Sequence, residues 1–354
     1  MPHPQWNIPS YNPSPSAYTV PLQSQYTPPP HHHSHYPSPY YTPYPPPLTH
    51  TMPRPQWNIP SYNPSPSADT VPPQSQYTPP PAPAQGRKKA VICGISYKHS
   101  KNPIRGSIND AKDMKQLLID KFQFSKSSIV MLTEEETNPK RRPTKYNMLR
   151  KLEWLVQDCK PGDSLLFYYS GHGSQMEYFN SDEVDGQDEA LCPLDYETQG
   201  RIVDDDINKI IVRPLPHGVK LHAIIDACHS ATVLDLPFLY RKNMSTGHYL
   251  CEDHHPRSGE WKGSDGEVIC FSGCDDHQKS FDDQLPSKNT HSGVMTSCFI
   301  KAIQSGHATT YGNILDSLRH SIATVGCSNG WPTRQEPQLT ASQLFDVYAK
   351  PFSL

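Results

Sequence analysis

The sequence predicts an α/β fold: a mainly parallel central sheet with helices on both faces, preceded by a disordered proline-rich leader. Three observations carry this. From residue 90 onward, short apolar runs of strand length alternate with helix-length segments, the order that builds parallel sheets under crossover helices. Two of the runs, Leu165-Leu166-Phe167-Tyr168-Tyr169 and Ala223-Ile224-Ile225, are apolar throughout, as strands covered on both faces are. Residues 1–86 hold 26 of the 39 prolines, no cysteine and only two charged side chains, Arg54 and Asp69. Such a segment cannot bury enough apolar surface to offset its ordering entropy.

The leader is internally duplicated. Met1–Pro30 recurs as Met52–Pro81 with 27 of 30 residues identical. The unit lacks an apolar face to stack on its copy, and its Pro-x-Pro spacing favours extended polyproline II. It reads as a solvated tail or as a docking tail for proline-reading domains, with Trp6, Trp57 and the tyrosines as contact points. The boundary falls near Gly86-Arg87-Lys88-Lys89, and residues 87–354 form one domain.

Within that domain Ala90–Ile95 reads as the first strand. Asn109–Phe122 has helical spacing, with Ala111, Met114, Leu117, Leu118 and Phe122 on one face and Ser107 or Asn109 as its cap. Ile129–Leu132 is a second strand, and Thr144–Val156 a helix with Met148, Leu152 and Leu155 as its stripe. The two apolar runs follow, then a strand at Val268–Ser272 and helices at Gly293–Ile303 and Tyr311–Val325. Between 231 and 267 the chain turns polar and reads as an irregular surface connector. The expected division is 87–235, connector 236–266, and 267–354.

The net charge of −3 gives no case for nucleic-acid or membrane binding. No apolar run approaches membrane-spanning length, and no basic start leads into an apolar stretch. Nine cysteines, none in a Cys-x-x-Cys pair, argue against a disulfide framework or zinc ribbon and fit a reducing compartment. The expected location is the cytoplasm, with the nucleus also open, and the expected state is a monomer.

Both apolar runs end in small residues followed by a chemically active side chain: Ser170-Gly171-His172-Gly173 and Asp226-Ala227-Cys228-His229-Ser230. In open α/β sheets ligands sit outside the carboxyl ends of the strands. If the two strands are neighbours, His172 and Cys228 meet there, and a thiol beside an imidazole is the minimal apparatus of a cysteine hydrolase. The N–H groups of Gly173 and Cys228 are the candidate oxyanion donors. His229 adjoins the nucleophile but projects differently, and no third member of a triad is evident. Asp226 reads either as a helix-capping carboxylate or as the floor of an acidic pocket. From Asp182 to Asp206 there are ten carboxylates and one base, Arg201, which reads as a solvated loop or as a hard-oxygen cation site.

These motifs resemble the metacaspases, the caspase-fold proteases of plants, fungi and protists. The resemblance continues in Gly106–Ala111, Asp188–Pro193, Ile202–Ile207 and Phe271–Cys274, covers roughly Lys88 to Leu354, and is to the type I subgroup. It implies a caspase-like three-layer sandwich and a calcium-activated cysteine endopeptidase with catalytic His172 and Cys228. It implies an acidic pocket of Asp110, Ser170 and Asp226 selecting Arg or Lys at P1. It implies Ca²⁺ on Asp188, Asp204, Asp205 and Asp235, and a setting in programmed cell death or stress response. Self-processing is expected at two basic sites of mobile backbone, Arg87-Lys88-Lys89 and Arg241-Lys242. The chain departs from the family pattern at Ser107, Ala231 and Phe281, the last near the expected cleft. The competing expectation is a catalytically weak scaffold acting through the leader; the intact His172 and Cys228 argue against it.

Overall fold

β1 (Lys88–Gly94) opens the computed structural model of the protein. The structure describes residues 86–177, 187–228, 230–243, 245–255, 261–273, 282–284, 291–306, 309–329 and 335–354. The duplicated leader, His229 and Phe281 lie outside these. In chain order follow α1 (Ser107–Phe122), β2 (Ile129–Thr133), α2 (Lys145–Val156), β3 (Ser164–Ser170), β4 (Gly173–Glu177), β5 (Gln187–Leu191), α3 (Tyr196–Gln199) and β6 (Ile202–Val203). Then come α4 (Asp204–Ile207), β7 (Lys220–Asp226), β8 (Phe238–Lys242), β9 (Tyr249–Asp253), β10 (Glu267–Ser272), β11 (Asp282–Gln284) and β12 (His291–Gly293). The last are α5 (Val294–Gln304), α6 (Tyr311–Asn329) and β13 (Gln338–Ala341).

Eight strands form one sheet in the order β2-β1-β3-β7-β10-β13-β8-β9. The five from β2 to β10 are mutually parallel, and β13, β8 and β9 each pair antiparallel to their neighbours. The expected mainly parallel, helix-covered sheet is therefore present. Period-two alternation divides its side chains between two cores. Val91, Cys93, Leu165, Phe167, Tyr169, Leu221, Ala223 and Ile225 pack on one face with Leu152 and Leu155 of α2. Ala90, Ile92, Leu166, Tyr168 and Ile224 pack on the other with α1, α5 and α6. The chain leaves β1 for β2 on one side and returns to β3 on the other, so the strand order reverses between β1 and β3. In this class of sheet ligands bind beyond the carboxyl ends of the strands, here those of β1, β3 and its neighbour β7.

Two expectations need correction. The N-cap of α1 is Gly106, whose backbone geometry is already helical, so the helix starts at Ser107 rather than being capped there or at Asn109. The connector 236–266 is not irregular: it supplies β8 and β9, which extend the main sheet beyond β13. β9 is the edge strand, where charge discourages pairing with other chains, and its Glu252 and Asp253, with Arg241 and Lys242 at the end of neighbouring β8, hide strands as polar sequence. Among the described residues no helix is long and apolar enough to cross a membrane.

Candidate active site

Ser170 ends β3 directly opposite Asp226, which ends β7. Beyond these paired ends the chain continues to His172 after one strand and to Cys228 after the other. Gly171 N–H donates to the Asp226 carbonyl at 3.3 Å. A Cβ built on Gly173 would lie 2.0 Å from the Cys228 carbonyl oxygen and 3.3 Å from the Ala227 side chain. The glycine is thus required by close backbone approach of the cysteine turn. His172 and Cys228 follow the ends of these two neighbouring strands, and both are half-buried.

The imidazole is held on two sides. Its Nε2 lies 2.6 Å from the Asn102 carbonyl oxygen. A carbonyl can only accept, so Nε2 carries the proton and Nδ1 is left to accept one. Tyr97 packs against the ring at 4.5 Å between centroids, the planes tilted by 32°. The Tyr97 hydroxyl accepts from the His172 N–H at 3.1 Å and donates to the Cys192 carbonyl, and the Tyr169 hydroxyl donates to the His172 carbonyl at 2.8 Å. Tyr97 has a left-handed backbone, φ 49°, and its N–H donates to Glu134 Oε1 at 2.6 Å. Local strain of this kind persists only where surrounding bonds enforce it. Asn102 thus supplies the third, orienting group that the sequence does not reveal. Every residue offers a carbonyl, so no residue type could have signalled it.

The three pocket residues come together on the α1–α5 face. Asp110, fully buried in the first turn of α1, accepts from Gly293 N–H at 2.8 Å, from the Ser292 hydroxyl, and from the Ser170 hydroxyl at 3.4 Å. Asp226 Oδ2 accepts from the N–H and hydroxyl of Thr296 at 3.0 and 2.7 Å. It therefore does cap a helix, α5, the next helix described along the chain although 70 residues on. A Cβ at Gly293 would meet Asp226 Oδ2 at 2.4 Å and Asp110 Oδ2 at 2.9 Å, so both carboxylates converge on this position. Burial holds the Tyr168 phenol well above its usual range, and the negative charges of Asp110 and Asp226 push it the same way.

The four acidic residues assigned to calcium are arranged less simply. Asp204 is buried, with Oδ2 accepting from Glu189 N–H at 3.1 Å and Oδ1 from Asp205 N–H at 2.7 Å. Asp188 is buried on β5. Among the described residues no three His, Cys, Asp or Glu side chains converge as a ready metal cluster. Asp205 and Asp235 do share a cation: the Lys262 ammonium, 3.4 Å from Asp205 Oδ1 and 2.6 Å from Asp235 Oδ2. Burial pushes the Asp235 carboxyl up to about 6, with Lys262 pulling against it. Hard oxygens from two separate segments around one buried cation fit a divalent ion in donor chemistry. Nearby, the Thr232 hydroxyl donates to Glu189, tying the loop after Cys228 to β5.

Both basic sites are strand-paired or ion-paired rather than in open loops. Arg241 and Lys242 sit in β8, paired to β9 and next to the β13 pairing, and bond to Glu252 and Asp316. Arg87 is clamped by Asp163, and Lys88 and Lys89 are already in β1, their ammonium groups on the Phe122 and Trp154 carbonyls. The expectation of backbone mobility at these positions is corrected accordingly.

A family model, the metacaspase peptidase C14 domain, matches residues 88–237. Metacaspase-1 of Arabidopsis thaliana is 60% identical over 291 residues, covering 76% of this chain and 79% of that protein. Metacaspase-2 of the same plant is 49% identical over 311 residues, covering 77% and 74%. Among solved structures, a Geobacter sulfurreducens protein superposes with a TM-score of 0.51 at 18% identity, covering 75% of this chain and 97% of that one, a likeness of fold alone.

Proposed function

The chain belongs to the metacaspase family of cysteine peptidases, type I in character, and on that premise we propose a calcium-dependent endopeptidase that cuts proteins after Arg or Lys. The observation that carries the reading is the shared register of β3 and β7, neighbouring strands that lead into His172 and Cys228, with Gly173 pressed on the cysteine's backbone. In the proposed reaction the Cys228 thiol gives its proton to His172 Nδ1, and the thiolate attacks the scissile carbonyl carbon. The oxyanion is received by the N–H groups of Gly173 and Cys228. The imidazolium returns the proton to the departing amine, leaving an acyl-thioester. His172 then deprotonates a water that releases the new carboxyl end and the free thiol. Asn102 and Tyr97 keep the ring from turning during these transfers.

Specificity rests on Asp110 and Asp226. A substrate guanidinium or ammonium meets two buried carboxylates, whereas a P1 Asp would add a third negative charge. The proposed calcium would be held by Asp188, Asp204, Asp205 and Asp235, and would supply a divalent charge between the β5–α4 region and the loop after Cys228. Residues 1–86 are proposed to dock proline-reading domains, and the inferred physiological setting is cell death or stress response, on kinship. The deciding experiment is a peptide-library digestion by wild type, Cys228→Ala and His172→Ala, with Ca²⁺ or excess chelator. Cutting after Arg and Lys, by wild type only and with Ca²⁺ only, is expected. Activity in Cys228→Ala, or a preference for P1 Asp, would overturn the assignment.

A further inference from the structure

Residues 261 and 262 are inverted with respect to polarity. Trp261 is 59% exposed, while its neighbour Lys262 is 2% exposed and among the largest fully buried side chains of the domain. Lysine is almost never fully buried unless paired. A lysine turned inward beside a tryptophan turned outward is therefore held by its charge. Its partners, Asp205 and Asp235, come from α4 and from the loop after Cys228, 30 residues apart in sequence. Asn208, with no exposed surface, fixes the arrangement: its amide nitrogen donates to the carbonyls of Leu234, Asp235 and Lys262 at 2.9–3.0 Å. Its amide oxygen accepts from Arg213 Nε at 2.8 Å.

We propose that Lys262 is a tethered cation that fills the calcium position, so that Ca²⁺ binds only by expelling it. The proposal rests on the calcium reading above and adds what sets its affinity. Calcium takes carboxylate oxygens at about 2.3–2.6 Å. The ammonium already stands 2.6 Å from Asp235 Oδ2 and 3.4 Å from Asp205 Oδ1, so an ion bound by those same oxygens would occupy the ammonium's place. Two cations in one buried position repel, and the tethered one can swing out. Asp205 is 38% exposed at its side chain and Asp235 11%, so the exchange takes place on the Asp205 side. Without calcium, the lysine keeps the two loops joined and the carboxylates neutralised. With calcium, a divalent ion takes over and the 261–264 segment loses its anchor. The calcium concentration needed is thus raised by competition with a ligand the chain itself carries.

The test uses the full chain carrying Cys228→Ala, which removes self-cleavage. Calorimetry with CaCl₂ on this protein and on the Cys228→Ala, Lys262→Met double variant compares affinities. At least tenfold tighter binding is expected in the double variant, with a lower thermal midpoint before calcium and a larger rise after it. Equal or weaker binding overturns the proposal while leaving the calcium reading standing. Binding by neither protein overturns both. Binding by the double variant alone supports the competition and overturns calcium dependence of the natural chain. Should Lys262→Met fail to fold, acylation footprinting of the Cys228→Ala protein by mass spectrometry reads the same event. Lys262 should resist the reagent without calcium and react when calcium, but not magnesium, is added. A lysine that stays protected in calcium-saturated protein overturns the proposal.

Discussion

At the scale of single residues, backbone contact decides as much as side-chain chemistry. Gly173→Ala would drive a methyl into the Cys228 carbonyl at 2.0 Å, a separation that only a backbone shift can relieve. Activity should fall at least 100-fold in kcat, about 3 kcal/mol of lost transition-state stabilisation, because the cysteine turn and the oxyanion donor move together. A peptide assay beside the circular dichroism of the variant separates this from global unfolding. Asp226→Asn keeps the shape and one acceptor oxygen for Thr296 but removes the charge. It should cost roughly 3 kcal/mol in kcat/KM for Arg substrates, with little change for neutral P1 residues. An equal loss on both would mean that Asp226 serves only α5. The strand-end motifs were legible because apolar runs followed by Gly-His-Gly and Ala-Cys need no tertiary knowledge to read. Asn102 and Lys262 were not, since one acts through a carbonyl common to all residues and the other through a burial that its sequence neighbours contradict.

At the scale of elements, β1 is fastened at its start and β7 carries a buried titratable group. Asp163 accepts from the backbone N–H of Arg87 at 2.8 Å, from Nε at 3.1 Å and Nη2 at 2.8 Å of its guanidinium, and from Lys160 N–H at 3.1 Å. Burial alone would raise this carboxyl, but the bonds from Arg87 and Lys160 win and hold it below its usual range. Asp163→Ala should destabilise the domain by about 1–3 kcal/mol and free Arg87. N-terminal sequencing after incubation with Ca²⁺ should then find more cutting after Arg87 than in wild type, and still none after Arg241 or Lys242. His222, on β7, stacks on Tyr311 and lies 2.7 Å from its hydroxyl through Nε2. Burial lowers it to about 3, with Lys220 and Lys350 adding to the effect. The unfolded chain binds this proton below about 6.5 and the folded one only near 3. Folding stability should therefore fall as pH drops through that window, by on the order of 1 kcal/mol per pH unit for this group. Urea titrations of His222→Leu should show a flatter dependence; an unchanged slope would assign the acid sensitivity to other groups. The parallel strands were readable from their unbroken apolar runs. β8 and β9 were not, because the charges of the edge strand β9 and of the end of β8 look like a loop until a partner strand is seen beside them.

At the scale of the whole molecule, the sheet is not assembled in the order in which it is encoded. β13, at residues 338–341, lies between β10 and β8 and pairs with both. Every strand on either side of it precedes it in the chain. A ribosome that has delivered the chain through residue 337 has already released His172, Cys228 and the pocket carboxylates, yet β8 and β9 have no strand to join them to β10. The domain closes only when a short segment made afterwards is laid into that gap. For a peptidase this ordering matters during synthesis. The strands β2-β1-β3-β7-β10, two of which lead into His172 and Cys228, are all encoded before β13 and are continuous without it, whereas β8 and β9 reach the sheet only through that late segment, so the half that carries the catalytic pair does not wait on the last strand.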